Sequence, residues 1–291
     1  MHCDLTCSSK VHLKLTPDGR GFGVYATEAF TAGDELLREA PLLRVRDFNG
    51  DGISEWEQHA KYIRGAIACL PEAKRCLVLG FSNVFDHHEY PQEVGLLKTN
   101  CIPCGPNGHE SCLYALTCRI NHACKANARF VWREDLGKEL VFATNVISEG
   151  KEITVSYSNP FTSRKSRREH LEQALKFTCD CNACTKGLSA DSDKRLQEIG
   201  RLIDLVPRLA QTDPINAMKT SERTLELMKI EGIDTAVNKG TIHFDAYQSA
   251  CMTPDRRKAS YHINQALQCA ILSDGPGSPR VIQYENLISK V

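Results

Sequence analysis

The chain has no excess of charge of either sign: 36 lysines and arginines balance 36 aspartates and glutamates over 291 residues. Nucleic-acid and anionic-membrane binding rest on a lopsided field, so neither is expected, and the sequence does not read as a DNA-binding domain. No uncharged run approaches the roughly 18 to 20 residues that span a bilayer. The first ten residues, MHCDLTCSSK, lack the basic and then apolar regions of a secretory leader. The 14 cysteines, about 5% of the chain, fall below the density of a small secreted disulfide scaffold. These absences point to a protein inside the cell, in cytoplasm or nucleus. There, clustered cysteines serve as metal ligands or buried apolar residues rather than as bridges. What is present is ordinary for a soluble globular protein, at 42% hydrophobic and 25% charged, and long enough for two domains.

The first half is strand-rich. VHLKLT alternates, DGRGFG is a glycine-rich turn, VYATEAF resumes before the turn TAGD, and ELLREAPLLRV gives another apolar run. From about 47 to 98 the texture is helical, with Trp56, Ala60, Ile63 and Ile67 at three- and four-residue steps. Residues 99–112, TNCIPCGPNGHESC, read as a loop. ARFVWRED, then LG, then KELVFATNVI reads as a hairpin, followed by a turn at Ser148 to Glu152 and a further strand. SRKSRREHLEQAL is a charged amphipathic helix. After a linker at 185–193, the chain reads as all-helical. Leu196, Ile199, Ile203 and Val206 share one face, Asp213 and Pro214 open a helix through Met228, and Gly232 stops it. Two more helices are expected at 241–252 and 255–273, the second with Ala259, Ile263, Ala266 and Ala270 on one stripe. Paired helices of this length suggest stacked helical hairpins.

The stretch FTCDCNAC, Phe177 to Cys184, carries three cysteines as C-x-C-x2-C. Zinc takes four ligands, so the fourth is either a water or a distant residue. A second group, Cys101, Cys104, His109 and Cys112, also has zinc-compatible spacing and reads as a separate metal site or as a fortuitous grouping. Cys3, Cys7, Cys69, Cys76, Cys118, Cys251 and Cys269 show no paired spacing. The basic run RKSRR at 164–168 reads as a solvated helix face or as a nuclear signal.

Four motifs in order carry a family resemblance. CRINHACKANA at 118–128 contains NHAC-x2-N, which resembles the N-H-S-C-x-P-N motif of SET domain methyltransferases. The C-x-C-x2-C cluster looks like their post-SET segment, GRGFGVYA at 19–26 like their glycine-rich cofactor segment, and EITVSY at 152–157 like the strand that ends in their active-site tyrosine. The match covers about residues 11–184. Spacing and the helical C-terminal region are most similar to the SET/MYND group and its fungal relatives, without a MYND finger in the insert. The implied fold class is mixed α+β. It comprises a β-rich SET fold at 11–163 with a helical insert at 47–100, a zinc-binding post-SET segment at 164–184, and a C-terminal all-helical, tetratricopeptide-like region at 191–291.

The resemblance implies an S-adenosylmethionine-dependent protein-lysine N-methyltransferase. Tyr157 would be the catalytic tyrosine. Arg20, Gly21, Phe22, Gly23, Asn121, His122, Tyr157 and Phe177 would hold the cofactor, with Phe177 against its adenine. Structural Zn2+ would be bound by Cys124, Cys179, Cys181 and Cys184. The implied partner is a protein presenting a lysine, histone or non-histone, met by a monomer that binds neither membrane nor nucleic acid directly. Ala123 and Ala126 stand where the family has serine and proline. They favour an alternative, a catalytically silent module that binds a protein through its helical region. A cysteine-rich zinc or redox sensor is a third reading, resting on cysteine count alone.

Overall fold

A computed structural model of the chain describes residues 9–47, 53–105, 108–185 and 190–290. Cys3 and Cys7, and residues 186–189 of the expected linker, lie outside these.

The chain opens with β1 (Val11–Leu15), β2 (Phe22–Ala26), β3 (Glu35–Glu39) and β4 (Leu43–Arg46). Three helices follow, α1 (Ile53–Ala68), α2 (Glu72–Leu79) and α3 (Gln92–Asn100). Next come β5 (Ile102–Cys104), β6 (Glu110–Leu113), β7 (Asn121–His122), β8 (Ala128–Arg133), β9 (Lys138–Ala143) and β10 (Glu152–Val155). Helix α4 (Arg164–Leu175) and the single turn α5 (Asn182–Thr185) precede the long helices α6 (Ala190–Thr212), α7 (Pro214–Glu231), α8 (Ala236–Cys251), α9 (Arg256–Asp274) and α10 (Pro279–Ile288). The fold class is mixed α+β, as the sequence implied.

Three small sheets form, in the orders β1-β2-β10-β7, β3-β9-β8 and β4-β6-β5. Alternation along the strands sends Val24, Leu36, Val141, Ile153 and Val155 into a common core, in which each is at most 2% exposed. The hairpin of β8 and β9 forms in register from Ala128↔Ala143 to Arg133↔Lys138. Ala60, Ile63 and Ile67 of the insert bury their stripe in a second core, with Trp56 at its edge.

One expectation fails. Residues 99–112 are not a loop throughout, because β5 and β6 pair with each other, and β6 pairs with β4 from Leu43↔Leu113 to Arg46↔Glu110. Between the two strands the Gly108 N–H donates to the Gly105 carbonyl at 3.2 Å. The same hairpin overturns the metal reading of the second cysteine group. Cys104 and Cys112 sit diagonally across β5 and β6, with Cα atoms 6.1 Å apart, and their sulfurs are joined as a disulfide. His109 is exposed, so the four residues do not converge on an ion. The bridge also departs from the expectation that the cysteines would stay unbridged. Cys69, Cys76, Cys118, Cys251 and Cys269 are free.

From residue 190 onward every element among the described residues is a helix. Asp213 caps α7 by accepting from the Asn216 N–H at 3.1 Å, with Pro214 in the first turn. Helix α8 begins at 236, earlier than expected, because Thr235 caps it. Helix α10 was not anticipated; Ser278 followed by Pro279 opens it by the same device. Consecutive helices pack in pairs, α6 with α7 and α8 with α9. Ala259, Ile263, Ala266 and Ala270 are each at most 2% exposed.

Candidate active site and metal centre

Strand β10 is the hinge of the site. It pairs antiparallel with β2, Glu152↔Tyr25 and Ile153↔Val24, and parallel with β7, Thr154↔Asn121 and Val155↔His122. That parallel pairing brings the Asn-His dipeptide beside the strand leading to Tyr157. The Ala123 N–H continues it by donating to the Val155 carbonyl at 3.0 Å, so the missing serine hydroxyl is not needed there. Asn127 holds the far edge, donating from Nδ2 to the Glu152 carbonyl at 2.9 Å and accepting the Thr154 N–H at 2.8 Å. Its side-chain amide takes the place of a neighbouring strand.

His122 is 5% exposed and turned inward. Its Nδ1 accepts the Tyr157 N–H at 2.9 Å, and its Nε2 lies 3.4 Å from the Cys124 sulfur. Burial pulls its pKa down to about 4, so the ring is neutral near pH 7. Tyr157 stands just past the end of β10, and its hydroxyl donates to the Ile120 carbonyl at 2.5 Å. Burial of that hydroxyl raises its pKa, keeping it a donor, yet 37% of the residue is exposed. The tyrosine is therefore not a core filler. The Phe177 ring meets His122 edge-on at 6.1 Å and packs against the cysteine cluster.

On the other side of β7, Asn121 donates from Nδ2 to the Phe22 carbonyl at 3.1 Å and to Glu152 Oε1 at 2.8 Å. Arg20 reaches Glu152 Oε2 at 3.0 Å and Asp18 at 2.7 Å. Glu152 thus ties the glycine-rich turn to the Asn-His strand, a role that sequence reading missed. Gly23 allows a close approach: a Cβ there would lie 2.6 Å from Glu152 Oε1 and 3.0 Å from Asn121 Nδ2, so both side chains would have to shift. The result is a bare backbone strip beside the half-exposed Phe22 and the Asn121 Oδ1, which has no partner among the described residues. The guanidinium of Arg119 lies 5.9 Å from the Phe22 ring and 4.4 Å from that of Phe81, linking this turn to the helical insert.

Cys124, Cys179, Cys181 and Cys184 converge, with all four sulfurs within 4.8 Å of one another. A tetrahedron with zinc–sulfur bonds of about 2.3 Å has edges of about 3.8 Å. Cys124 Sγ lies 3.9 Å from that of Cys179 and 3.5 Å from that of Cys184. Hydrogen bonds among the thiols push Cys181 down and Cys124 up. The donor set fits zinc in number, spacing and chemistry. Among the described residues one other group could ligate a cation, Asp86, His87 and His88, and it is fully exposed.

Residues 21–158 match the model of the SET domain family. Over 146 residues it is 27% identical to histone-lysine N-methyltransferase SET5 of Meyerozyma guilliermondii, covering 48% of this chain and 29% of that protein. Over 85 residues it is 32% identical to N-lysine methyltransferase SMYD2 of Homo sapiens, covering 29% of this chain and 18% of that protein. The chain thus spans less than a third of the length of these relatives. A solved structure described as the SET domain of LSMT bound to lysine and AdoHcy aligns with 98% of this chain and 88% of its own, at TM-score 0.37 and 8% identity.

Proposed function

We propose that the chain is an S-adenosylmethionine-dependent protein-lysine N-methyltransferase. The observation that carries this reading is Tyr157. Its backbone is fixed by His122 and its hydroxyl by Ile120, while 37% of the residue stays exposed. A tyrosine so restrained at both ends, yet accessible, suits a group that aligns reactants.

Arg20, Gly21, Phe22, Gly23, Asn121 and Phe177 would hold the cofactor. The bare strip at Gly23 admits close backbone contact, and the open Asn121 Oδ1 is an acceptor suited to an ammonium. When bound, the cofactor supplies an electrophilic methyl on a sulfonium. The lysine must arrive neutral against a reference pKa of about 10.4, which an apolar, water-poor channel favours. The Tyr157 hydroxyl, donating to Ile120, keeps its lone pairs to accept from the incoming amine and orient it. His122 acts through Tyr157 as a positioning residue. Structural zinc on Cys124, Cys179, Cys181 and Cys184 would fold the post-SET segment against that wall. The boundaries in this reading are a SET domain at 11–163, a post-SET segment at 164–184 and a helical domain from 191.

The substrate would be a protein lysine, on a histone or another protein, met by a monomer in cytoplasm or nucleus. Among the described residues no helix is long and apolar enough to cross a membrane. Calorimetric titration with S-adenosylmethionine tests the reading first, followed by transfer of a labelled methyl group to proteins of a cell extract. Binding and transfer are expected. A folded, zinc-loaded chain that binds no cofactor would overturn it in favour of the silent interaction module, which Ala123 and Ala126 favour.

A further inference from the structure

Helix α4 turns Arg167, Leu171 and Leu175, each four residues from the next, toward the cysteine cluster. Two of these are apolar and pack against it. Arg167 is a cation and is only 2% exposed. This overturns part of the reading of RKSRR as a solvated face, because Lys165 and Arg168 are exposed and Arg167 is not. One arm of its guanidinium donates to the Thr162 carbonyl, and the helix face that carries it is the one whose Leu171 and Leu175 pack with Cys124 and its neighbours. Its Nε is buried without a partner, and no carboxylate pairs with the residue among those described.

A buried guanidinium without a counter-charge is strongly disfavoured, so a compensating anion is required nearby. Four thiolates around a divalent zinc carry a net charge of minus two, and Cys124 is one of them. We infer that Arg167 is the counter-ion of the zinc–tetrathiolate centre and sets how firmly the metal is held. The inference rests on the zinc reading above. The two halves complement each other: three of the four cysteines are buried, and the buried Arg167 has no carboxylate partner among the described residues. Groups that hydrogen-bond to the ligands of a metal typically hold about 10- to 100-fold of its affinity.

The test uses the full chain as parent, Arg167→Met and Arg167→Lys. Zinc content is measured by elemental analysis, zinc release by a coloured chelator in excess, and melting with zinc bound and after stripping. The parent should hold one zinc. Arg167→Met should release it at least about tenfold faster, with Arg167→Lys in between, since it keeps the charge and loses the planar fork. In stripped protein the sign should reverse. There Arg167→Met should melt at or above the parent, because the stranded charge is gone. Equal losses of melting temperature in both states would show a side chain that only packs, and would overturn the inference. Release within twofold of the parent would do the same. A parent without zinc would overturn the metal reading itself, a result distinguishable from zinc-bound protein indifferent to Arg167. Arg167→Gln, a neutral donor, takes the place of Arg167→Met should the latter not fold.

Discussion

Tyr157 and His122 divide their work in a way the letters NHAC and SY do not disclose. Both ring nitrogens of His122 face inward, so its contribution is to fix the tyrosine backbone. The Tyr157 hydroxyl, held by the Ile120 carbonyl, keeps only its lone pairs to offer. Tyr157→Phe is expected to leave cofactor affinity nearly intact and to lower methyl transfer on the order of 10²-fold, because the lost group acts at alignment in the transition state. Cofactor titration beside single-turnover methyl transfer checks it, and a variant turning over like the parent would sink the proposed role. Glu139 supplies a second test at this scale. It is 1% exposed, accepts from the Tyr114 hydroxyl at 3.3 Å, and is pushed up to about 8 by burial. The folded value lies above the unfolded one of about 4.3. Its contribution to stability is therefore full below that value and is lost as pH rises toward 8. Glu139→Gln, which cannot ionise, should melt progressively higher than the parent between pH 5 and pH 8.5. A constant gap across that range would show that the carboxyl does not titrate there. Neither Glu139 nor the bridging roles of Glu152 and Asn127 could be read from the sequence. A lone polar letter does not say which partner lies across a sheet.

At the scale of elements, the periodic signals were legible wherever an element was long. The α1 stripe, the β8–β9 hairpin and the α9 alanine stripe all form as their spacing demands. Short strands escaped. β5 has three residues and β6 has four, and the Gly, Pro and Asn between them dominate the local texture. Their pairing is decided by β4, some 60 positions away in the chain. Segment 176–185 is an element of a different kind, with little secondary structure of its own. Lys176 takes a left-handed turn at φ 57° to reverse the chain after α4. It also reaches Glu89 of the insert at 3.0 Å. Beyond it, the sulfurs are the main organising groups. Stripping zinc with a chelator should therefore raise amide exchange across 176–185 and in the last turn of α4, while β8 and β9 keep their protection. Exchange read peptide by peptide checks this. Unchanged protection of 176–185 after zinc loss would mean that packing alone holds the segment.

Across the whole molecule, the helical layer is fastened to the strand-rich half by partly buried polar contacts that no motif announces. Lys125, next to Cys124, donates to the Glu231 carbonyl at the end of α7, at 2.5 Å. The Glu231 carboxylate in turn accepts from Ser192 and Arg195 of α6. The second fastening is Asp274, the last residue of α9 and 5% exposed. A carboxylate is disfavoured at a helix C-terminus, where backbone carbonyls already point. Here Arg129 of β8 at 2.9 Å and Arg280 of α10 at 3.2 Å offset that, with the Ser273 hydroxyl at 2.8 Å. Gly275 then leaves the helix at φ 82°, where a Cβ would lie 2.8 Å from the Phe142 ring of β9, so the chain needs glycine both for its turn and for its contact. Asp274→Asn keeps the shape and removes the charge, leaving the partly buried Arg129 without its counter-ion. Since Arg280 is half exposed and solvent screens part of the pair, the loss should be about 2 kcal/mol rather than the larger figures of fully buried pairs. Denaturant unfolding measures it. If Asp274 fastens the two layers, the variant should also be cut faster by a protease between α9 and α10 under native conditions. Asp274→Asn unfolding at the parent's midpoint, with no faster cleavage, would show that packing around Gly275 holds the layers together without the ion pairs.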